Sequence, residues 1–196
     1  MAPKYLRASA CGTSLRRRLL RVACVLVASC CSGAMSAPPA AEYQVKAAYL
    51  FNFGQFVEWP VQAYDSPNAP FVICVVGDDP FGKTLDDVVA GESLGGHAFV
   101  IRRFRNPREI SACHILFIGR SEAARLDETL QMLKGRSVLT VTDIAGAETR
   151  GAMIVLVNDR NRIRMRINVA AAKSSNLAIS SKLLRPAEVV GNEGER

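Results

Sequence analysis

Three groups of side chains in this 196-residue sequence have chemistry to offer beyond holding a fold. The first is a set of carboxylates, Asp78, Asp79 and Asp143, each placed where an apolar run gives way to a turn that also carries residues such as Gly119, Arg120, Ser121 and Thr142. In an open α/β sheet ligands gather outside the carboxyl ends of the strands, and an acidic trio there could hold Mg²⁺ through hard oxygen ligands. The same positions are those of helix caps and turn formers, roles that Asp fills by accepting from nearby backbone N–H groups. The second is a row of arginines, Arg162, Arg164 and Arg166, alternating with Ile163, Met165 and Ile167. A strand spaces such a row about 7 Å apart, close enough to grip a phosphate or an acidic partner. A charged row also keeps a sheet edge from pairing with another chain.

The third group is sulfur. Cys11, Cys24, Cys30 and Cys31 fall in the amino-terminal segment, which leaves Cys74 and Cys113 for the body of the chain. Two thiols in an oxidising compartment suggest one disulfide, closing a loop of about 40 residues, for which chain entropy predicts roughly 4 kcal/mol. The alternative is a pair of buried free thiols on neighbouring strands. With only His114 adjacent, the two thiols do not complete a metal ligand set. The two histidines, His97 and His114, sit at the opening of one strand and inside another, so both read as structural. Neither a G-x-G-x-x-G turn nor a phosphate loop follows the first strand, and no cofactor or metal is expected.

The element that has to position these groups is the stretch EYQVKAAYLFNFGQFVEWP, Glu42 to Pro60. Wound as a helix, it puts Tyr43, Ala47, Leu50, Gly54 and Val57 on one stripe and Val45, Tyr49, Phe53 and Phe56 on the next. The polar strip left over holds Gln44, Asn52, Gln55 and Glu58, but also Phe51, with Trp59 at the end before the breaker Pro60. Such a helix needs cover on two sides. It is either a core helix of an α/β domain or one that in addition offers Phe51 and Trp59 to a partner.

Downstream, FVICVV (Phe71 to Val76) and CHILFI (Cys113 to Ile118) are apolar runs of strands buried on both faces. Between them a helix striped by Phe81, Leu85, Val88 and Val89, capped by Asp79 and opened by Pro80, leads into a strand over Ala98 to Phe104. Ser121 caps a second helix striped by Leu126, Leu130 and Leu133 and ended by Gly135. Strands follow at Ser137 to Val141 and Ala152 to Val157. The turn Asn158 to Asn161 then forms a hairpin with the arginine strand, which reads as a sheet edge or a solvent-covered face. Short pieces through Ala170 to Ala172, Leu177 to Ile179 and Lys182 to Leu184 close the domain. The pattern predicts a three-layer α/β sandwich with a mostly parallel, five- to six-stranded mixed sheet flanked by helices and an antiparallel hairpin at one edge.

The formal charge of +7 is misleading, because Lys4, Arg7, Arg16, Arg17, Arg18 and Arg21 lie in the first 36 residues, which contain no acid; the rest carries +1. Nothing in that balance points to nucleic acid. Those 36 residues read as an export signal, with a basic n-region and a short apolar stretch from Val22 to Ser29. Ala34 and Ser36 suit signal peptidase and release of a soluble chain into the periplasm; Val27 to Cys30 resembles a lipobox that would anchor Cys30 to lipid. Soluble release is the preferred route. A single domain is expected over residues 37–190, with a disordered tail over 191–196.

EYQVKAAYLFNFGQFVEWP, VGDDPFG, CHILFIGRSE, SVLTVTD, GAMIVLV with NRIRMRIN, and ISSKLLR resemble, in that order, the YfiR family of small periplasmic proteins, over about Glu42 to Arg185. The resemblance implies a non-enzymatic repressor that binds the periplasmic domain of an inner-membrane diguanylate cyclase, lowering cyclic di-GMP and biofilm output. It also implies an outer-membrane lipoprotein that sequesters the repressor, and a homodimer. Cys74 and Cys113 match the family's core disulfide. A second bridge found in some members is absent, since no cysteine follows Cys113. A competing expectation is a periplasmic sensor of a nucleotide or amino acid bound near Asp78, Asp79 and Asp143; an acid-residue hydrolase ranks last.

Overall fold

A strand with no polar side chain on either face has to be covered from above and below, and the runs FVICVV and ILFI impose that demand at the centre of this domain. The computed structural model describes residues 40–191. Helix α1 (Ala40–Phe56) leads into strands β1 (Val57–Glu58) and β2 (Phe71–Val76). Helix α2 (Lys83–Val89), a short β3 (Ser93–Leu94), β4 (His97–Phe104) and β5 (Ile115–Ile118) follow. After them come α3 (Leu126–Met132), β6 (Leu139–Thr142), β7 (Ile154–Asp159) and β8 (Arg162–Asn168). Helix α4 (Val169–Ser174), β9 (Ala178–Ile179), α5 (Ser181–Leu184) and β10 (Glu188–Val190) complete the described chain.

Eight strands form one open sheet in the order β10-β8-β7-β6-β5-β2-β4-β3. The central pairs β4-β2, β2-β5, β5-β6 and β6-β7 are parallel, and β7-β8 is the antiparallel hairpin. On one face Leu50 and Phe53 of α1 and Leu85 of α2 pack with Phe71, Ile73 and Phe117. On the other, Leu126 and Leu133 meet Val72, Cys74, Leu116 and Ile118. The three-layer sandwich expected from the alternation of elements is therefore present, built on the six long strands foreseen plus two short ones at its margins. Among the described residues no helix is long and apolar enough to cross a membrane.

Several boundaries differ from the sequence reading, each for a local reason. Helix α1 stops at Phe56 because Val57 and Glu58 leave it to pair antiparallel with Ile179 and Ala178. Asp79 does accept from a backbone N–H, that of Phe81 at 2.8 Å, but the helix begins later, at Lys83, after Gly82 with φ of +51°. Ser121 does not cap α3; residues Arg120–Arg125 form 3-10 turns ahead of it, and the Ser121 hydroxyl accepts from the Asp78 N–H instead, at 2.9 Å. The arginine strand β8 is not the outermost strand, since β10 pairs in parallel with Arg166 to Asn168. The expected export signal over residues 1–36, with Cys30, and residues 192–196 of the expected tail lie outside the described residues.

Cys74 and Cys113 are joined, with Cα atoms 6.0 Å apart, so the disulfide straps β2 to the residue pair entering β5. Both ends are buried. Because it closes a loop with a sequence separation of 39, its removal enlarges the unfolded ensemble. The Cys74→Ala/Cys113→Ala double variant is expected to lose roughly 4 kcal/mol of stability, read as a lowered urea midpoint with a steeper slope, because the freed unfolded chain exposes more surface.

Candidate functional site

The carboxyl ends of β2, β5, β6 and β7 carry two adjoining constellations of charge. The first hangs from α1. Lys46 lies on the buried stripe between Tyr43 and Leu50, and its side chain is wholly enclosed. Burying an ammonium is tolerated only when carboxylates and hydrogen bonds replace water, and that replacement is present. Its Nζ lies 2.6 Å from Asp143 Oδ2, at the end of β6, and 2.5 Å from Glu42 Oε1, one turn earlier. It also stands 4.5 Å above the Tyr43 ring, a favourable place for a cation.

The remaining contacts close the group. Tyr43 Oη donates to Asp143 Oδ2 at 2.8 Å, and Asn158 of β7 donates to Glu42 Oε2 at 2.6 Å. Arg120, half-exposed beyond β5, lies 3.2 Å from Asp143 Oδ2 and 3.6 Å from Glu42 Oε1. Two cations thus balance two carboxylates. Burial pushes the Glu42 carboxyl up, but hydrogen bonds from Lys46 and Asn158 and the charges of Lys46 and Arg120 outweigh it and hold the group below the usual range. Burial, then the bond to Asp143 and its charge, push the Tyr43 phenol well up, so it remains a donor. The network fastens the start of the helix to three strand ends.

The second constellation occupies the crevice where the topology reverses. β2 and β5 are neighbours, yet the connection from β2 runs through α2 to β4 on one side and that from β5 runs through α3 to β6 on the other. Such a switch point is where open α/β sheets bind ligands. A cleft of about 580 Å³ lies there, lined by Asp78, Asp79, Arg103, Arg105, Glu122 and Arg125 among others. The loops leaving β2 and β5 approach so closely that both need glycine. A Cβ on Gly77, whose φ is +87°, would collide with the Ser121 hydroxyl, and one on Gly119 would lie 2.9 Å from the Asp78 carbonyl. Arg103 is fully committed, to Asp79 at 2.6 Å, to Asp86 at 2.6 Å and to the Gly82 carbonyl at 2.9 Å. Arg125 donates to Glu122 Oε1 at 2.8 Å. Glu122 is 2% exposed, and its Oε2 has no partner.

The expected acidic trio is therefore split. Asp78 and Asp79 line the switch-point cleft, whereas Asp143 is committed to Lys46 and Tyr43. Among the described residues no three His, Cys, Asp or Glu side chains stand close enough to hold a metal ion. Of the arginine row, Arg162 is exposed, Arg164 bonds Asp159 at 2.7 Å, and Arg166 bridges Glu148 at 3.0 Å and Glu188 at 3.1 Å. Phe51 and Trp59 are both half-buried. The Phe51 ring packs 5.2 Å from that of Phe99, while Trp59 meets Phe71 edge-on and donates its indole N–H to the His114 carbonyl at 3.3 Å.

Sequence reading missed Lys46, Glu42 and Glu122, and placed Arg120 at a strand end without its link to Asp143 and Glu42. A signal for Lys46 existed, because a lysine three residues after Tyr43 and four before Leu50 interrupts an otherwise apolar stripe. At the opposite end of the sheet, His114 is buried just ahead of β5, where its Nδ1 accepts the Val72 N–H at 3.0 Å. The neutral ring therefore carries its proton on Nε2. It stacks on Phe71 at 4.6 Å, and Tyr64 lies 4.6 Å away on its way to a stack with His97. Burial, reinforced by the charge of His97, pushes its pKa down to about 4.

Two predictions follow from these contacts. Lys46→Ala strands two buried carboxylates and is expected to cost about 3–5 kcal/mol in urea unfolding, whereas Arg120→Ala, at the solvent boundary, costs about 1 kcal/mol. Because the folded-state pKa of His114 lies below its unfolded value of 6.5, its contribution is complete above pH 6.5 and is lost as pH falls towards 4. That loss is about 3 kcal/mol. Unfolding midpoints measured across that window should show a steeper decline for the wild type than for His114→Asn.

The sequence profile described as YfiR/HmsC-like matches residues 43–188, which is most of the chain and nearly all of the described structure. No curated protein matches the sequence.

Proposed function

The chain belongs to the YfiR/HmsC-like family, and from that premise we propose that it is an exported, non-enzymatic regulator of a diguanylate cyclase. In this reading it binds the periplasmic domain of an inner-membrane cyclase, favours the inactive state and lowers cyclic di-GMP and biofilm output. The observation that carries the proposal is the extent of the family match, from the start of α1 to β10, so that the whole sheet and both helical layers belong to the shared domain. Repression by contact requires that the regulator bind the inactive state of the cyclase more tightly than the active one, by about 1.4 kcal/mol for each tenfold shift.

The β7-β8 hairpin is the best candidate surface. It projects the exposed Arg162 and Arg164, and Arg160 and Asn161 at its tip adopt φ of +51° and +63°. Arg166 supports that surface through Glu148 and Glu188, whereas Phe51 and Trp59, packed on Phe99 and Phe71, form a separate candidate patch at the β2-β4 side of the sheet. In the same reading an outer-membrane lipoprotein sequesters the chain, the chain is a homodimer, and the mature domain begins near residue 37 in the periplasm.

A second reading, a receptor for a small molecule, is favoured by the switch-point cleft. The two are compatible, since a ligand that prefers one state of the regulator shifts its hold on the partner.

Deleting the gene should raise cyclic di-GMP wherever the target cyclase is expressed, and a chain carrying Arg162→Ala/Arg164→Ala should restore repression only in part. An unchanged cyclic di-GMP level in the deletion strain would contradict the proposal. Full repression by the double variant would remove the hairpin from the contact.

A further inference from the structure

On one side the eight-stranded sheet ends in β3, which is too short to cover its neighbour β4. β2 and β4 are parallel, and the Gly77 N–H donates to the Phe104 carbonyl at 2.9 Å. Phe104, and with it Arg102 and Val100 at alternate positions, therefore turn their backbone groups towards β2. Phe99, Ile101 and Arg103 turn theirs outward, as the bond from the Phe99 N–H to the Glu92 carbonyl at 3.2 Å shows. β3 itself pairs only with His97 and Ala98. Past Glu92, the N–H and C=O groups of Ile101 and Arg103 have no strand beside them among the described residues. Such a row is a template for one more strand.

The side chains along that edge select what can add to it. The face of β4 carrying Ala98, Val100 and Arg102 is exposed. Arg102 bonds the Ser111 hydroxyl at 3.2 Å, and Arg136 bonds the Ser111 carbonyl at 2.5 Å. Neither guanidinium, nor that of the exposed Arg105 at the strand's exit, is paired with a carboxylate among the described residues, although the chain beyond its first 36 residues carries only +1. On the other face Arg103 is committed to Asp79 and Asp86, and the half-buried Ile101 joins the core that includes Phe99 and Phe51. The unpaired positive charge is thus on the bare face and the apolar contact on the helix-covered one. Arginines so placed guard the edge against a second copy of this chain. An antiparallel pair centred on Ile101, Arg102 or Arg103 sets the two Arg102 side chains directly opposite or one diagonal apart, where like charges destabilise the pairing. A strand of opposite sign gains from the same charges. We propose that β4 is a docking edge for an extended, acidic segment of a partner protein. The segment adds to the sheet through the Ile101 and Arg103 backbone groups, sets a carboxylate beside Arg102 and turns its alternate, apolar residues towards Ile101. This surface lies at the opposite end of the strand order from the β7-β8 hairpin and does not depend on the cyclase reading.

The test titrates the purified mature chain with synthetic octapeptides, read by calorimetry and by amide hydrogen exchange. One peptide alternates Glu and Val, a second alternates Lys and Val, and a third is the Glu peptide with its backbone nitrogens methylated. The expected result is saturable binding of the Glu peptide, with the Ile101 and Arg103 amides newly protected from exchange, and no binding of the Lys or the methylated peptide. Arg102→Glu, a change on the exposed face, is expected to weaken binding of the Glu peptide about tenfold, whereas Arg102→Lys retains most of the affinity. Silence of the Glu peptide, protection elsewhere, or equal binding by the Lys peptide, the methylated peptide or the Arg102→Glu variant overturns the proposal. Protection of the Ile101 and Arg103 amides in the chain alone, rising with its concentration and accompanied by a doubled mass in sedimentation, assigns the edge to a second copy and overturns it as well.

Discussion

A lysine side chain with no exposure at all dictates much of this structure. The Lys46 ammonium gains its stability in the interior only because Asp143, 97 residues away in sequence, and Glu42, one helical turn earlier, replace its water. The helix that carries it is consequently held in one rotation and one height against the sheet. A helix covered by aliphatic and aromatic side chains could slide or turn by a residue at little cost. One that must deliver an ammonium to a carboxylate at the end of β6 has a single register. Here the network acts through specificity more than through net stability, since buried ion pairs rarely outdo well-packed apolar substitutes.

That fixed register has consequences at both ends of the sheet. At the carboxyl end, Arg120 closes the network from the solvent side and Ser121 and Glu122, the next residues, form part of the switch-point cleft. The two constellations therefore share one loop, and a ligand or partner that moved Arg120 would act on both. At the amino end, helix α1 hands the chain to Trp59, whose indole N–H bonds the His114 carbonyl, while the His114 ring accepts the Val72 N–H. The neighbouring disulfide ties β2 to the same segment. The core strands are thus locked beside their first residues, and the loops at their last residues carry the two charged constellations.

The architecture was legible in the sequence because its strongest determinants are local. FVICVV and CHILFI announce strands covered on both faces, and the alternation in RIRMRIN marks a strand with one apolar side, as Met165 and Ile167 prove to have. The two-residue strands β1, β3 and β9 and the three-residue β10 were not legible, since so few residues set no period and pairing alone defines them. The site was less legible for a related reason. Lys46 and Glu42 look like an ordinary exposed pair until Asp143 is placed beside them, and Glu122 looks like a surface acid in a turn. Phe51 and Trp59 looked available because helical periodicity alone put them on the polar side, but Phe99 and Phe71 partly cover them. The disulfide pairing was recoverable by counting, because only two cysteines remain after the amino-terminal segment.

The account holds that this domain acts by touching a membrane enzyme rather than by making or breaking bonds itself. The most direct measurement is a titration of the purified mature chain into the isolated periplasmic domain of the cyclase encoded in the same genome, followed by calorimetry. The account predicts a saturable complex of defined stoichiometry whose affinity falls as salt rises, in keeping with an arginine-bearing surface. No detectable heat or complex at tens of micromolar, with every candidate cyclase domain of that genome tested, would contradict it.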